Sequence, residues 1–288
     1  MSGDYQLVQL ANGEQTLFSA SYGEKLHPGL GPRAEAELLY VRQLKIVERL
    51  PSAAGEFVVW DVGLGGAANA VALLRATQAI SSRLRLISFD NTGEPLAFAL
   101  QNAAALGYPA EYADQIANLL RDRHVEFENG NLKVNWEFHL GDFPQLLNAE
   151  IGNRESKISR PHAVFYDAFS PAKNPAMWTL PVFENLFRSL DPARPCALTT
   201  YSRSTLLRTT LLLAGFFVGV GQATGLKEET TIAANSLDLI AEPLNQRWLE
   251  RARRSHSAEP MMEPFYRIAP LREESWGKLL AHPQFAAK

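Results

Sequence analysis

The sequence predicts an α/β protein, a seven-stranded mainly parallel sheet with helices on both faces. Three observations predict it. From about residue 56, β-type apolar runs alternate with helix-patterned stretches. The first run, Phe57–Trp60, is continuously apolar, as strands buried on both faces are. A glycine-rich turn also joins the first such run directly to a helical pattern. Strand–helix alternation means parallel strands linked by crossovers.

The elements follow in order. Phe57–Trp60 is the first strand, and Ala67–Ile80 carries helical spacing. Leu84–Phe89 is the second strand, followed by a helix over Glu94–Leu106. Val134–Leu140 alternates as a third strand, and His162–Tyr166 is the fourth, with a helix over Leu180–Leu190 after it. Pro195–Tyr201 is the fifth, followed by a helix over Ser204–Ala214, and Phe216–Val220 with Thr230–Asn235 closes the sheet as a pair, the last strand antiparallel. Residues 108–131 read as a helical insertion inside a core of 51–245. Residues 1–50 form an extension packing on that core, with strand and turn signals (Leu7, Leu10, Asn12-Gly13) and a helix near Glu35–Leu50. Residues 246–288 read as a charged helical tail.

Composition narrows the function class. With 46% hydrophobic and 20% charged residues, the 288-residue chain has ample core. A net charge of −3 gives no global pull toward polyanions, so an RNA partner needs a local basic patch; Arg251-Ala252-Arg253-Arg254 is the most basic stretch. One cysteine, Cys196, suits a reducing cytoplasm and reads as a small core residue. No signal peptide, membrane-length apolar run or zinc-type histidine spacing is present in the sequence, so neither membrane nor metal is expected.

The chemistry gathers at strand ends. Asp61-Val62-Gly63-Leu64-Gly65-Gly66-Ala67-Ala68-Asn69 ends the first strand and opens the first helix. Glycines there let backbone approach a ligand, and the helix start offers free N–H groups. The second strand ends at Asp90, where a carboxylate can take ribose hydroxyls. The third ends in Gly141-Asp142 and the fourth in Asp167. Each acid could equally cap a helix; four on one rim point to a nucleoside-bearing cofactor.

Asp-x-Gly-x-Gly, the second-strand acid, Gly-Asp and the fourth-strand acid resemble the Rossmann-like class I S-adenosylmethionine (SAM) methyltransferases. Asp167-Ala168-Phe169-Ser170-Pro171-Ala172-Lys173-Asn174-Pro175-Ala176-Met177-Trp178 is similar to a signature of the MnmC methyltransferase family, which completes 5-methylaminomethyl-2-thiouridine at the tRNA wobble position. Glu37-Leu38-Leu39-Tyr40-Val41, Ala214-Gly215-Phe216, Gly225-Leu226-Lys227-Glu228 and Trp248-Leu249-Glu250-Arg251 through Arg254-Ser255 agree in order and spacing. The resemblance covers about residues 10–260. The sequence departs at Ala67, where the family has glycine, which narrows the turn slightly. It also departs at Asp61, where the family has Glu, and at Glu228, where it has Arg. The bifunctional relatives carry a flavin domain whose glycine fingerprint is not repeated in these residues, so the oxidative step is expected to be absent.

The resemblance implies SAM held by Asp61, Gly63, Gly65, Asn69, Asp90, Gly141 and Asp142, with Asp167 catalytic. It places the tRNA nucleoside against Ser170, Pro171, Lys173, Asn174, Trp178, Tyr201 and Lys227. Methyl transfer to an amine needs a lone pair, which Asp167 and the loop carbonyls after it are expected to aim at the methyl by accepting the amine N–H groups. Pro171 and Pro175 stiffen that loop, and Trp178 and Tyr201 are expected to stack on the base, core packing being the alternative for Trp178. Three competitors stay open: aminopropyl transfer of the spermidine synthase type, methyl transfer to another amine, and a non-catalytic RNA-binding scaffold.

Overall fold

A computed structural model describes residues 3–151, 158–224 and 228–286. The strands of the main sheet are β4 (Glu56–Val62), β5 (Ser82–Asp90), β6 (His124–Asn129), β7 (Leu132–Leu140), β8 (Ala163–Tyr166), β9 (Ala197–Thr200), β10 (Phe217–Gly221) and β11 (Thr230–Ala234). A second, small sheet near the N-terminus holds β1 (Tyr5–Gln9), β2 (Gln15–Ser19) and β3 (Glu24–Lys25).

The main sheet runs β10-β11-β9-β8-β4-β5-β7-β6. Pairs β4–β5, β4–β8, β5–β7 and β8–β9 are parallel. Strand order reverses at β4, whose neighbours β5 and β8 both follow it in sequence, so ligands are expected beyond the ends of these strands. Side chains alternate across the sheet: Phe57 and Val59 enter one buried cluster, Val58, Trp60 and Val62 the other. Helix Ala68–Thr77 covers the first face with Val71 and Leu74; Leu180–Ser189 and Thr205–Leu213 cover the second with Phe183, Leu186, Leu207 and Leu211. Each fully buried aliphatic or Phe side chain contributes roughly 1.5–3 kcal/mol.

The expected strands are all present, and an eighth, β6, joins them. Residues 108–131 are therefore not a purely helical insertion. Helix Ala113–Asp122 is followed by β6, which pairs antiparallel with β7 through a turn at Gly130 (φ +61°). The alternation in His124–Asn129 is polar on the exposed face, as an edge strand's is, and this masked it. Cys196 is buried, and burial pushes its thiol up to about 12, in keeping with a core role. Beyond β11, helices Gln246–Arg253 and Glu273–Leu280 pack Trp248, Leu249 and Leu279 onto the second cluster. Among the described residues, no helix is long and apolar enough to cross a membrane.

His162 stands just ahead of β8, accepts the Val58 N–H on Nδ1 at 2.9 Å and stacks on Phe57 at 4.6 Å. Burial first, then the charges of Arg194 and Arg49, lower its pKa to about 4. The unfolded chain, with histidine near its ordinary 6.5, takes the proton first as pH falls. Stability conferred by neutral His162 is thus present above about pH 6.5 and lost as pH drops toward about 4, on the order of 2–3 kcal/mol. Urea midpoints across this window should fall less steeply for His162→Gln than for the wild type; parallel curves would refute the assignment.

Candidate functional site

Neighbouring parallel strands bring β8, β4, β5 and β7 to one rim. Backbone bonds knit their ends together: Gly63 and Leu64 N–H donate to Phe89 O (2.9 and 3.1 Å), Asp167 N–H to Val62 O (2.9 Å) and Gly141 N–H to Asp90 O (2.8 Å). Gly63, at φ +92°, passes so close to β8 that a Cβ there would stand 2.7 Å from the Asp167 carbonyl oxygen. Gly65 (φ +51°) donates its N–H to Asp90 Oδ2 at 2.9 Å. Ala67, which opens the next helix, sits at φ +64°. At that angle a side chain strains the backbone, rather than merely narrowing the turn, at a cost of roughly 1–2 kcal/mol.

The four strand-end acids occupy four environments. Asp61 is fully buried under the rim, accepts from Ser88 Oγ at 3.0 Å and leaves Oδ1 without a partner among the described residues. Ser88 in turn accepts from Trp136 Nε1 at 3.0 Å. Burial, with Asp167 and Asp90 nearby, pushes Asp61 up to about 7 against the pull of Ser88. Asp90 takes the Gly65 and Thr92 N–H groups (2.9 and 3.3 Å); burial raises its pKa against those bonds. Asp142 caps the helix Phe143–Ile151 by accepting from Gln145 N–H at 3.0 Å. Asp167 caps nothing: its Oδ2 accepts from Asn69 Nδ2 at 2.8 Å.

A cavity of about 460 Å³ opens above this rim. One wall is Leu64, Phe89, Pro95 and Phe143; another is the loop after Asp167. The third comes from residues 22–28. Tyr22 stacks on Phe169 at 4.0 Å, Glu24 accepts from Ser170 N–H (3.1 Å) and Ser170 Oγ, and His27 Nε2 lies 3.7 Å from Asp167 Oδ2. Behind Asp167, Tyr40 is fully buried, and burial first, then the carboxylate, raises its phenol far above the ordinary value.

Of the residues singled out in the sequence, Gly63, Gly65, Asp90, Gly141, Asp142, Asp167, Ser170, Asn174 and Tyr201 line this cavity. Tyr201 donates its hydroxyl to Ala168 O at 3.0 Å. Asp61 and Asn69 stand behind the wall, both almost without exposure. Trp178 is a correction: it is completely buried, donates Nε1 to Phe169 O at 2.7 Å and packs edge-on against Tyr166 and Tyr201, so no ring face is open to a base. Pro171 and Lys173 lie outside the cavity, Lys173 exposed. Lys227, with Gly225 and Leu226, lies outside the described residues. The sequence reading missed Tyr22, Glu24, His27 and Glu35, which line the cavity from the N-terminal segment. They precede the first strand of the main sheet, and strand-end logic does not reach them. No group of three or more His, Cys, Asp or Glu suited to a metal occurs among the described residues.

Residues 110–236 match a family model described as S-adenosyl-L-methionine-dependent methyltransferase. Over 247 residues the chain is 30% identical to the tRNA 5-methylaminomethyl-2-thiouridine biosynthesis bifunctional protein MnmC of Ectopseudomonas mendocina (strain ymp), covering 81% of this chain and 35% of that one. The protein of the same name in Burkholderia vietnamiensis (strain G4 / LMG 22486) is 27% identical over 212 residues, 70% of this chain and 31% of that one. The chain thus spans about a third of the length of these relatives. Its fold superposes on the crystal structure of MNMC2 from Aquifex aeolicus with a TM-score of 0.68 at 26% identity, covering 97% of this chain and 85% of that one. Spermidine synthase from Thermotoga maritima follows at 0.53 and 11% identity, with 96% and 83% covered, a likeness of fold alone.

Asp61 yields a stability test. Its folded pKa is raised, so the contribution of the protonated form is complete below the ordinary 3.8 and is lost as pH rises through about 7. Asp61→Asn escapes that loss. The variant's stability relative to wild type should therefore grow by on the order of 2–4 kcal/mol between about pH 4 and pH 8 in urea titrations. A constant difference would contradict it.

Proposed function

Because the chain belongs to the S-adenosyl-L-methionine-dependent methyltransferases related to the methyltransferase part of MnmC, we propose that it methylates the aminomethyl nitrogen on the wobble uridine of tRNA. The relatives' names support the substrate, and the observation that carries the chemistry is Asp167. This carboxylate stands beside the glycine turn in the cavity, held by Asn69 and faced by His27.

The cavity fits an adenosyl sulfonium. Gly63 and Gly65 present backbone with no side chain, Asp90 offers a carboxylate to ribose hydroxyls, and Phe89, Pro95 and Phe143 form an apolar wall for a base. Gly141 and Asp142 border the same space. Asp61 and Asn69 act from behind: Asp61 fixes Ser88 and Trp136 under the turn, and Asn69 orients Asp167. The bound sulfonium supplies an electrophilic methyl group.

The protein's own task is to deliver a neutral amine. With a lysine-like pKa near 10.4, only about one acceptor in 2,500 is neutral at pH 7. Asp167, Glu24 and Glu35 surround the cavity with carboxylates that favour the ammonium form on entry. His27 then takes a proton from it, the imidazolium standing against Asp167 Oδ2. The carboxylate accepts a remaining N–H and aims the lone pair, and the cavity walls hold the reacting atoms near contact. Ser170 and Asn174, on a loop fastened by Glu24, flank the acceptor, while Tyr201 steadies the loop through Ala168.

The same carboxylates favour a second reading, aminopropyl transfer to a cationic polyamine. They replace the lysine the sequence placed there, since Lys173 is not in the cavity. The product separates the two readings. Incubated with SAM and tRNA lacking the modification, the protein should yield 5-methylaminomethyl-2-thiouridine by mass spectrometry of digested nucleosides. Transfer of an aminopropyl group from decarboxylated SAM, with no methylated nucleoside, would replace the first reading with the second.

Two variants test the roles. His27→Gln should lower kcat about a hundredfold at pH 7 with SAM affinity unchanged, and the defect should shrink toward pH ~10, where the amine loses its proton unaided. A flat, wild-type profile would remove His27 from proton transfer. Asp90→Ala should weaken SAM binding by roughly 1–3 kcal/mol in calorimetry; unchanged affinity would reduce Asp90 to a brace for Gly65.

A further inference from the structure

Between helices Gln246–Arg253 and Glu273–Leu280 the chain forms a loop with a buried neck and an exposed tip. At the neck, Ala258 and Glu259 N–H both donate to Ala269 O (2.9 and 3.0 Å), and Thr209 Oγ1 donates to Ala258 O. The Glu259 carboxylate, 2% exposed, accepts from Arg272 N–H and Ser275 Oγ, each at 2.9 Å. The tip carries Phe265 at 72% exposure, Ile268 at 59%, Tyr266 at 50% and Met262 at 47%, the most exposed cluster of large apolar side chains among the described residues. A loop pinned this firmly holds those rings in water by construction, and such a patch marks a binding surface.

Charge says what covers it. From Arg251 to Arg272 there are five arginines and two glutamates, in a chain whose net charge is −3. Arg253 and Arg272 are paired with Glu273 and Glu259. Arg251, Arg254 and Arg267 are exposed and make no ion pair among the described residues. Exposed aromatic rings and unpaired guanidinium groups carried on one stretch of chain suit single-stranded nucleic acid, whose bases stack and whose phosphates seek cations. The neck is tied to the segment that leaves the cavity wall: Met261 O accepts the N–H of Leu180 at 2.8 Å, a few residues after Met177, which lines the cavity.

We propose that this loop is an RNA-docking surface for the unpaired nucleotides that flank the methylated one, Phe265 and Tyr266 stacking on bases and Arg251, Arg254 and Arg267 meeting phosphates. The proposal rests on the tRNA reading above. The test is binding of labelled unmodified tRNA, followed by anisotropy against salt. It compares wild type with a Phe265→Ala/Tyr266→Ala pair and with an Arg251→Gln/Arg254→Gln/Arg267→Gln triple, checking SAM affinity in each. The aromatic pair should weaken binding about tenfold or more without changing the salt slope. The arginine triple should lower that slope by about 2. SAM affinity should stay as in wild type. If wild type methylates tRNA and both variants bind it equally well, the loop proposal is overturned while the substrate reading stands. If wild type neither binds nor methylates tRNA, both are overturned. Wild-type dimers in sedimentation that the aromatic pair dissolves, with tRNA affinity intact, would make the patch a self-association face and overturn the proposal as well.

Discussion

The site depends on one crowded contact, the backbone of Gly63 against the carbonyl of Asp167. A methyl group on Gly63 would come within 2.7 Å of that oxygen, so only glycine lets β4 and β8 release their chains side by side. That closeness sets Asn69, the second residue of the next helix, within 2.8 Å of the Asp167 carboxylate. It also leaves Gly65 free to reach Asp90 on the other flank of β4. Three strand ends are thereby locked into one rim, and the cavity's floor follows from their register.

Much of this was legible in the sequence because parallel strands announce themselves. Continuous apolar runs such as Phe57–Trp60, ending in acids and followed by helical spacing, gave the sheet, its rim and the residues on it. Two things were not legible. The strand His124–Asn129 carries charges on its open face, and its alternation was overridden by the helical pattern before it. The wall from Tyr22 to Pro28 belongs to a segment outside the strand–helix rhythm, and only the folded chain brings His27 beside Asp167, far along the sequence.

The row of acids also shows why residue type alone underdetermines a role. Asp61, Asp90, Asp142 and Asp167 have the same side chain and homologous places on four strands. Burial turns the first into a structural brace with its pKa near 7. A glycine N–H claims the second, a helix end claims the third, and an asparagine holds the fourth toward open space. Trp178 makes the converse point. Its position in a signature loop suggests a platform for a base, yet the aromatic cluster of Tyr166, Phe183 and Tyr201 encloses it, and it serves the loop by bonding Phe169.

The most direct test of the account is diffraction from crystals grown with S-adenosylhomocysteine. The nucleoside should lie over the Gly63–Gly65 turn, its ribose hydroxyls bonded to the carboxylate at the end of β5 and its sulfur turned toward Asp167. A nucleoside found outside this cavity, or seated within it with the ribose away from Asp90, would contradict the account at its base.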